Sequence, residues 1–218
     1  MSLELTAFEI VPDFAKGYVK DLRVRWALEE VGLTYIERLI SQEEKESAAY
    51  KRRQPFAQVP VFKDHEVELF ESGAILIHLA EQSETLAPQD AAGKARARSW
   101  VCAALNSVEP VVSNLVLAQL FWAAEPWAKD FEQAALEHLD RRLAALDDWL
   151  GDKDWLEGQF SIGDIMMVTV LRDLIDRGPL ERFPKLDAYR QRGEARPAFQ
   201  RALQAQLDAF DRFEGAAQ

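Results

Sequence analysis

The chain has 218 residues, of which 48% are hydrophobic and 29% charged, so it is long enough for one large or two modest domains with a buried core. Its net charge of −11 argues against nucleic-acid binding by phosphate neutralisation and against binding to an anionic membrane surface. The single cysteine, Cys102, excludes an intrachain disulfide and a cysteine-rich zinc site, and the three histidines are too scattered for a metal cluster, so we expect no metal. There is no signal-peptide pattern and no apolar run near 18 residues, which indicates a soluble, cytoplasmic protein with no membrane partner.

The first eighty residues alternate between strand and helix patterns. Strand patterns occupy residues 3–10, 33–40, 59–63 and 67–70, and helical patterns occupy residues 18–31, 41–53 and 72–82. In the first helix the apolar residues share one broad face, Asp21, Arg23 and Arg25 fall mostly outside it, and Gly32 is a plausible C-cap. The resulting βαβ–α–ββα order predicts a parallel strand pair with a right-handed crossover, followed by an antiparallel hairpin.

The pattern changes after residue 82. Residues 83–90 are a polar stretch with a proline, and no convincing strand pattern follows. Helical patterns occupy residues 91–122, 126–150, 162–177, 185–192 and 197–212, separated by glycine and proline breaks. We therefore predict an α/β domain over residues 1–82, a linker over 83–90, and an all-helical domain over 91–218.

Two neighbouring motifs in the α/β part have the features of a binding site. Pro60 stands at the mouth of a strand, where a proline is tolerated, and it leaves the backbone of Val59 free to pair with a group outside the protein. Ser72 occupies a predicted helix N-cap, and a helix N-terminus attracts a carboxylate or phosphate. The plainer interpretation is that Ser72 is only a cap and Glu71 only a first-turn acid.

Ser161 and Asp164 have the spacing of a capping box, with Phe160 and Ile165 at the staple positions. The helix that follows is apolar almost all round and should be central to the second domain. A catalytic role for Asp164 is the lesser alternative.

Other side chains have an ordinary structural explanation that we weigh above a functional one. We expect Cys102 to pack in the core and His78 to be a packed or hydrogen-bonded helix histidine. The basic run at residues 51–53 is a solvated helix end rather than an anion site. Phe121 and Trp122 are candidates to line a pocket for an apolar substrate, or are plain core.

Six motifs, in this order along the chain, resemble those of the soluble glutathione transferases. They are RVRWAL at residues 23–28, PFAQVPVF at 55–62, LFESGAI at 69–75, FSIGDI at 160–165, and FPKL at 183–186 with RPAF at 196–199. The resemblance covers essentially the whole chain. It implies a thioredoxin-like N-terminal domain of the α/β class, a C-terminal all-α bundle and a homodimer.

The resemblance also implies a site for glutathione as co-substrate. Pro60 would be a cis proline, and the backbone of Val59 would pair with the cysteinyl part of glutathione like an added strand. Ser72 and the helix N-terminus would take the γ-glutamyl carboxylate, and Glu71 would take the ammonium group. Gln58 would add a polar contact.

The residue that activates the glutathione thiol is less clearly implied. Members of this family place a tyrosine near the end of the first strand, or a serine or cysteine at the start of the first helix. Here the tyrosine position falls near Phe14, and residues 18–20 contain no serine or cysteine. Tyr18 is the best hydroxyl candidate to stabilise a thiolate, and Lys20 would assist electrostatically. Alternatively, Tyr18 packs on the sheet and Lys20 is solvated.

These expectations amount to a glutathione transferase that activates the glutathione thiol for attack on a small hydrophobic electrophile. The reaction subtype stays open among conjugation, isomerisation, peroxide reduction and dehalogenation. Two alternatives remain: a non-catalytic, transferase-like protein that binds a partner, and a disulfide reductase that uses bound glutathione.

Overall fold

The structure is a computed structural model that describes residues 3–214 of the chain. Residues 1, 2 and 215–218, which the predicted domain ranges include, lie outside this part. The described chain forms two compact units, one from residues 3–86 and 196–214 and one from residues 87–195.

The first unit contains a four-stranded sheet with helices. Its elements are β1 (Leu3–Phe8), a 3₁₀ turn (Asp13–Ala15), α1 (Asp21–Val31), β2 (Tyr35–Ile40), α2 (Gln42–Glu46), α3 (Ala48–Lys51), β3 (Val61–Lys63), β4 (Glu68–Phe70) and α4 (Ser72–Glu81). The strand order is β2-β1-β3-β4. β1 and β2 are parallel, whereas β3 pairs antiparallel with both β1 and β4, so the predicted parallel pair and hairpin are confirmed. This is the mixed sheet of the predicted thioredoxin-like fold.

The second unit is helical, and none of its residues, all of which are described, lies in a strand. Its helices are α5 (Ala91–Ala103), α6 (Glu109–Val116), α7 (Ala128–Leu150), α8 (Ile162–Arg172) and α9 (Pro184–Glu194). Two π-helical segments, Ala104–Val108 and Leu117–Phe121, continue α5 and α6. Every residue of α8 is buried, which confirms the predicted central position of this helix.

The last helix, α10 (Pro197–Glu214), packs against α1 and lies in the first unit. The predicted all-helical range of 91–218 grouped it with the preceding helices instead. Gln206 on α10 donates hydrogen bonds to the backbone oxygen of Val19 (3.2 Å) and to Asp21 Oδ1 (2.7 Å). These long-range bonds tie α10 to the start of α1.

Helix α1 is buried nearly all round, so the prediction that Asp21, Arg23 and Arg25 lie outside its buried face is wrong. All three side chains are at most 2% exposed. Arg25 Nε donates to Asp21 Oδ2 at 2.7 Å, and the same guanidinium also contacts Tyr35 and Glu37. A buried charge is tolerated where it is paired and hydrogen-bonded, and here the partners come from α1 itself and from β2.

The end of α1 and the start of α8 have the predicted caps. Gly32 is the C-cap of α1 in the left-handed conformation, with φ 68°. Ser161 and Asp164 form the capping box at α8, and Asp164 also accepts from the Leu156 amide and the Tyr189 hydroxyl, each at 2.9 Å. Asp164 is therefore a structural residue of the second unit.

Cys102 is exposed, so the expectation that it packs in the core is wrong. Its helical neighbours Val101 and Ala104 take the buried positions, and Cys102 falls on the other side of α5. His78 is hydrogen-bonded as predicted, with its Nε2 2.6 Å from Asp64 Oδ2. In the basic run at residues 51–53, Lys51 and Arg52 are exposed, as expected of a solvated helix end, whereas Arg53 is half-buried and bridges to β1 and β4.

One helical stretch, Ala91–Phe121, has the length and mean hydropathy of a membrane span. The sequence prediction counted uninterrupted apolar runs and did not find it, because Asn106, Glu109 and Pro110 interrupt the apolar residues. The core helix of a soluble protein has the same length and composition, so the stretch is weak evidence of a span.

Candidate functional site

The segment before β3 presents the backbone of Val59 next to a buried apolar cluster. The Val59–Pro60 bond is cis, which confirms the prediction for Pro60. Val59 is 8% exposed and packs with Ile40, Tyr50 and Val61. The core of the first unit therefore packs against one side of Val59, the residue whose backbone is predicted to pair with a ligand.

Tyr50 fixes the residue that precedes Val59. Its hydroxyl donates to the backbone oxygen of Gln58 at 2.7 Å. Burial raises the pKa of Tyr50 to about 12, so the hydroxyl remains a donor at neutral pH. The Gln58 carbonyl is therefore engaged, whereas its exposed side chain projects from a fixed backbone.

Helix α4 begins at Ser72, with Glu71 as its N-cap, so the prediction that Ser72 is the N-cap is wrong by one position. The first bond of the helix runs from the Ile75 amide to the Glu71 oxygen at 3.0 Å. The amides of residues 72–74 precede this bond, and they form the donor end of the helix dipole. The predicted anion-attracting helix terminus is thus present, with Ser72 inside the first turn.

Glu71 is exposed and has φ 69° and ψ 114°. A positive φ is uncommon for a residue other than glycine and costs of the order of 1–3 kcal/mol. Such positions persist where the surrounding structure fixes them, and they cluster at ligand sites. The conformation of Glu71 therefore marks the start of α4 as a constrained segment.

The hydroxyl of Ser72 has a buried cationic partner. Ser72 is 6% exposed, and its Oγ accepts a hydrogen bond from Arg23 Nη1 at 3.2 Å. This bond joins α1 to the first turn of α4, across 49 positions of sequence. Sequence reasoning missed Arg23, because a charged residue outside an apolar stripe gives no sign that it will be buried.

Residues around the start of α1 are close to both of the other segments. Val19 packs against the cluster that contains Val59 and Tyr50, and Arg23 contacts Ser72. The strand mouth at Val59 and the first turn of α4 are therefore each linked to the region around the start of α1, the first through Val19 and the second through Arg23.

Tyr18 lies in the turn that precedes α1, three residues before the helix begins. Its side chain is 36% exposed, and its amide donates to the Ala15 oxygen at 3.0 Å. Phe14, at the predicted tyrosine position, lies in the 3₁₀ turn and is 57% exposed. A role for Tyr18 in activating a thiol stays a prediction.

The arrangement suits a peptide-like anion. Amides at a helix terminus, a serine hydroxyl and a guanidinium behind it all favour a carboxylate. The backbone of Val59, on the side away from the core, is available for strand-like pairing. Glu71 adds an exposed carboxylate that can accept from an ammonium group.

Comparison with known proteins identifies relatives along most of the chain. The family model "Glutathione S-transferase, N-terminal domain" matches residues 16–81, and "Glutathione S-transferase, C-terminal domain" matches residues 108–197. Glutathione S-transferase theta-1 of Bos taurus is 32% identical over 180 residues, which cover 76% of this chain and 74% of that protein.

Solved structures show the same fold. A glutathione transferase from Burkholderia graminis, with two glutathione molecules bound per subunit, is 28% identical with a TM-score of 0.81 and covers 93% of this chain and 87% of its own. A glutathione transferase family member from Pseudomonas fluorescens pf-5, with two glutathione bound, is 25% identical with a TM-score of 0.81. The match covers 93% of this chain and 92% of that one. The chain belongs to the soluble glutathione transferase family.

Proposed function

We propose that this protein is a glutathione transferase, which holds glutathione in its first unit and uses the thiolate to attack a small hydrophobic electrophile. The observation that carries the proposal is a junction around the start of α1, where Val19 packs against the cluster of Val59 and Arg23 donates to Ser72, in a chain of this family. Glutathione is an anionic peptide with a free ammonium group, and this junction offers a partner for each part. The related structures that contain glutathione support the same ligand.

Each predicted site residue has a role in this proposal. The backbone of Val59 pairs with the cysteinyl residue, next to Pro60, which has no amide hydrogen to compete. Ser72 and the first-turn amides of α4 bind the γ-glutamyl carboxylate. Glu71 accepts from the γ-glutamyl ammonium group, and the exposed side chain of Gln58 adds a polar contact.

The proposed chemistry requires a thiolate. A free thiol has a pKa of about 8.5 and is mostly protonated at pH 7. A hydroxyl that donates to the sulfur favours the ionised form, and Tyr18 is our candidate for this donor. Lys20 adds a positive charge on the same segment. The thiol proton passes to solvent, and the thiolate then forms a C–S bond with the electrophile; with an aryl halide, the carbon–halogen bond breaks and the halide leaves with the bonding electron pair.

The second unit contains the candidates for the electrophile pocket. Phe121 is 59% exposed, so it is not a plain core residue. Trp122 packs edge-to-face against Trp127 and Phe131, with ring centroids 5.3 and 5.6 Å apart. We propose that Phe121 and Trp122 contact the apolar substrate.

The location and assembly belong to the same proposal. We propose a cytoplasmic homodimer, because the family resemblance implies one. Phe56 and Phe70, which are 66% and 37% exposed, form an aromatic pair on the first unit that a second copy would cover.

Binding and turnover measured together test the function. We expect retention on immobilised glutathione, elution by free glutathione, and turnover of a model aryl halide. Retention with no turnover of any electrophile would favour the non-catalytic, partner-binding alternative. Turnover of a disulfide but not of the aryl halide would favour the reductase, and a protein that neither binds nor turns over would overturn the proposal.

A further inference from the structure

Arg23 is a buried cation that no motif of the sequence assigns to the site. It lies on α1, is 2% exposed, and donates from Nη1 to Ser72 Oγ at 3.2 Å. A guanidinium carries a positive charge and has hydrogen-bond donors only. Any ligand of Ser72 therefore contacts a hydroxyl that already accepts a hydrogen bond from a cation.

The direction of this hydrogen bond decides what the Ser72 hydroxyl can do. A serine hydroxyl has one hydrogen to donate and two lone pairs to accept with. Arg23 donates into one lone pair, so the hydroxyl hydrogen cannot point towards Arg23. The charged donor also polarises the O–H bond and strengthens its donation to a second partner. Ser72 is thereby preset as a donor towards an anion.

The first turn of α4 reinforces this preference. The amides of residues 72–74 carry the positive end of the helix dipole, and Arg23 places a full positive charge next to the same turn. In a buried environment the interaction between a charge and an anion is stronger than in water. Loss of the Arg23 charge should therefore weaken binding of an anion more than binding of a neutral group.

We propose that Arg23 is the positioning residue of the carboxylate subsite: it acts through Ser72, and it makes this subsite selective for the α-carboxylate of the γ-glutamyl residue. The inference rests on the proposed function, since it takes glutathione as the ligand. In this proposal Arg23 does not contact the ligand itself. It orients the Ser72 hydroxyl, which donates to the ligand.

A double-mutant cycle with two ligands tests the role of Arg23. The ligands are glutathione and 4-aminobutyryl-cysteinylglycine, which is glutathione without the γ-glutamyl α-carboxylate. Their dissociation constants are measured by calorimetry for the native protein, Arg23→Met, Ser72→Ala and the double variant. Arg201→Met is the matched control, because Arg201 pairs with Glu29 at 2.7 Å on the surface and its loss changes the net charge equally.

We expect Arg23→Met to weaken glutathione binding by about tenfold or more, the loss expected when a charge-assisted bond is removed. The carboxylate-free analogue should lose less than about twofold. In the Ser72→Ala background, Arg23→Met should also raise the dissociation constant of glutathione by less than about twofold. The hydroxyl through which Arg23 acts on the ligand is absent there. Arg23→Gln keeps a donor without the charge and should fall between the native protein and Arg23→Met.

Each other result overturns a defined statement. If the native protein does not bind glutathione, the proposed function fails. If it binds, and Arg23→Met weakens both ligands equally or neither, the positioning role fails while the proposed function stands. Additive losses in the cycle would also contradict action through Ser72. Failure of both Arg23→Met and Arg23→Gln to fold would make Arg23 structural and reject the positioning role.

Discussion

Tyr18 is the residue on which the proposed chemistry depends most. If its hydroxyl donates to the glutathione sulfur, Tyr18→Phe removes only that bond and leaves the glutathione contacts of Val59 and Ser72 in place. We expect turnover of an aryl halide at pH 7 to fall by about tenfold or more, with a glutathione dissociation constant within about twofold of the native value. The apparent pKa of the bound thiol should rise towards about 8.5 in the pH–rate profile.

Tyr35→Phe is the matched control for this change. The Tyr35 hydroxyl accepts from Arg25 at 3.3 Å, away from the proposed ligand contacts, so its loss should leave the pH–rate profile unchanged. Unaltered turnover in Tyr18→Phe would contradict a role of Tyr18 in the mechanism. Lys20 and the amides before α1 would then be the candidates to stabilise the thiolate.

Some residues of the candidate site could be predicted from the sequence, and others could not. Gln58, Val59, Pro60, Glu71 and Ser72 stand in contiguous motifs, so their positions near a strand mouth and a helix start were predictable. The one-residue error at the start of α4 arose because a positive φ on Glu71 has no sequence signal. Arg23 was out of reach, since its contact with Ser72 depends on how two distant helices pack.

At the scale of elements, the β3–β4 hairpin is tied to α4 by one carboxylate. Asp64 Oδ1 accepts from the amides of Glu66 and Val67, each at 2.8 Å, and Oδ2 lies 2.6 Å from His78 Nε2. Burial raises the pKa of Asp64, but the hydrogen bonds from His78 and the two amides outweigh it and hold the pKa at about 2. The turn and the helix that carries Ser72 are therefore linked through an ionised aspartate.

This low pKa predicts the pH range in which Asp64 stabilises the fold. The ordinary value is 3.8, so the unfolded chain binds the proton first, and the contribution is complete above about pH 4 and lost as the pH falls through about 2. Asp64→Asn should lower the free energy of unfolding by about 2 kcal/mol at pH 7. At pH 3 the deficit should shrink by about 1 kcal/mol.

Urea unfolding at pH 7 and pH 3 measures both values. Asp13→Asn is the control, because its carboxylate is 93% exposed, and its substitution should change stability by less than about 0.5 kcal/mol at either pH. A deficit of Asp64→Asn that is equal at the two pH values would mean that its contribution does not come from ionisation.

The start of α8 makes a second prediction at this scale. Asp164→Ala leaves the buried amides of Leu156 and Ser161 and the Tyr189 hydroxyl without their acceptor. We expect a loss of about 3 kcal/mol in the free energy of unfolding, measured in urea at pH 7. Asp152→Ala, whose carboxylate is 99% exposed, should cost less than about 0.5 kcal/mol. Equal losses for both variants would contradict a structural role of the capping box.

The elements themselves were largely predictable, because caps and periodicity are local. The Ser161–Asp164 box and Gly32 lie within a few residues of the helix ends they define. The burial of α1 was not predictable in the same way. Arg25 is paired with Asp21 on its own helix and with Glu37 on β2, and the second pairing depends on how β2 packs against α1, which a helical pattern does not encode.

At the scale of the whole molecule, the sequence predicts a helix at residues 197–212 but not its packing partner. The Gln206 amide bonds to Asp21 across 185 positions, and Arg196 bonds to Glu30 across 166. Such contacts place α10 with the first unit, although it follows the helices of the second. Chain order alone therefore does not show which helices α10 packs against.

The proposed homodimer makes the last prediction. Phe56 and Phe70 form an exposed ring pair with centroids 6.3 Å apart, and in a twofold interface a substitution acts twice. Burial of one phenylalanine contributes about 2 kcal/mol, so Phe56→Ser should weaken the dimer by roughly a thousandfold. We expect the native protein to sediment at twice its chain mass of 24.8 kDa and Phe56→Ser to sediment as a monomer at micromolar concentration. Ile36→Ser, which changes a 57% exposed side chain on β2, should remain dimeric. A native monomer, or a Phe56→Ser dimer as stable as the native one, would contradict this interface.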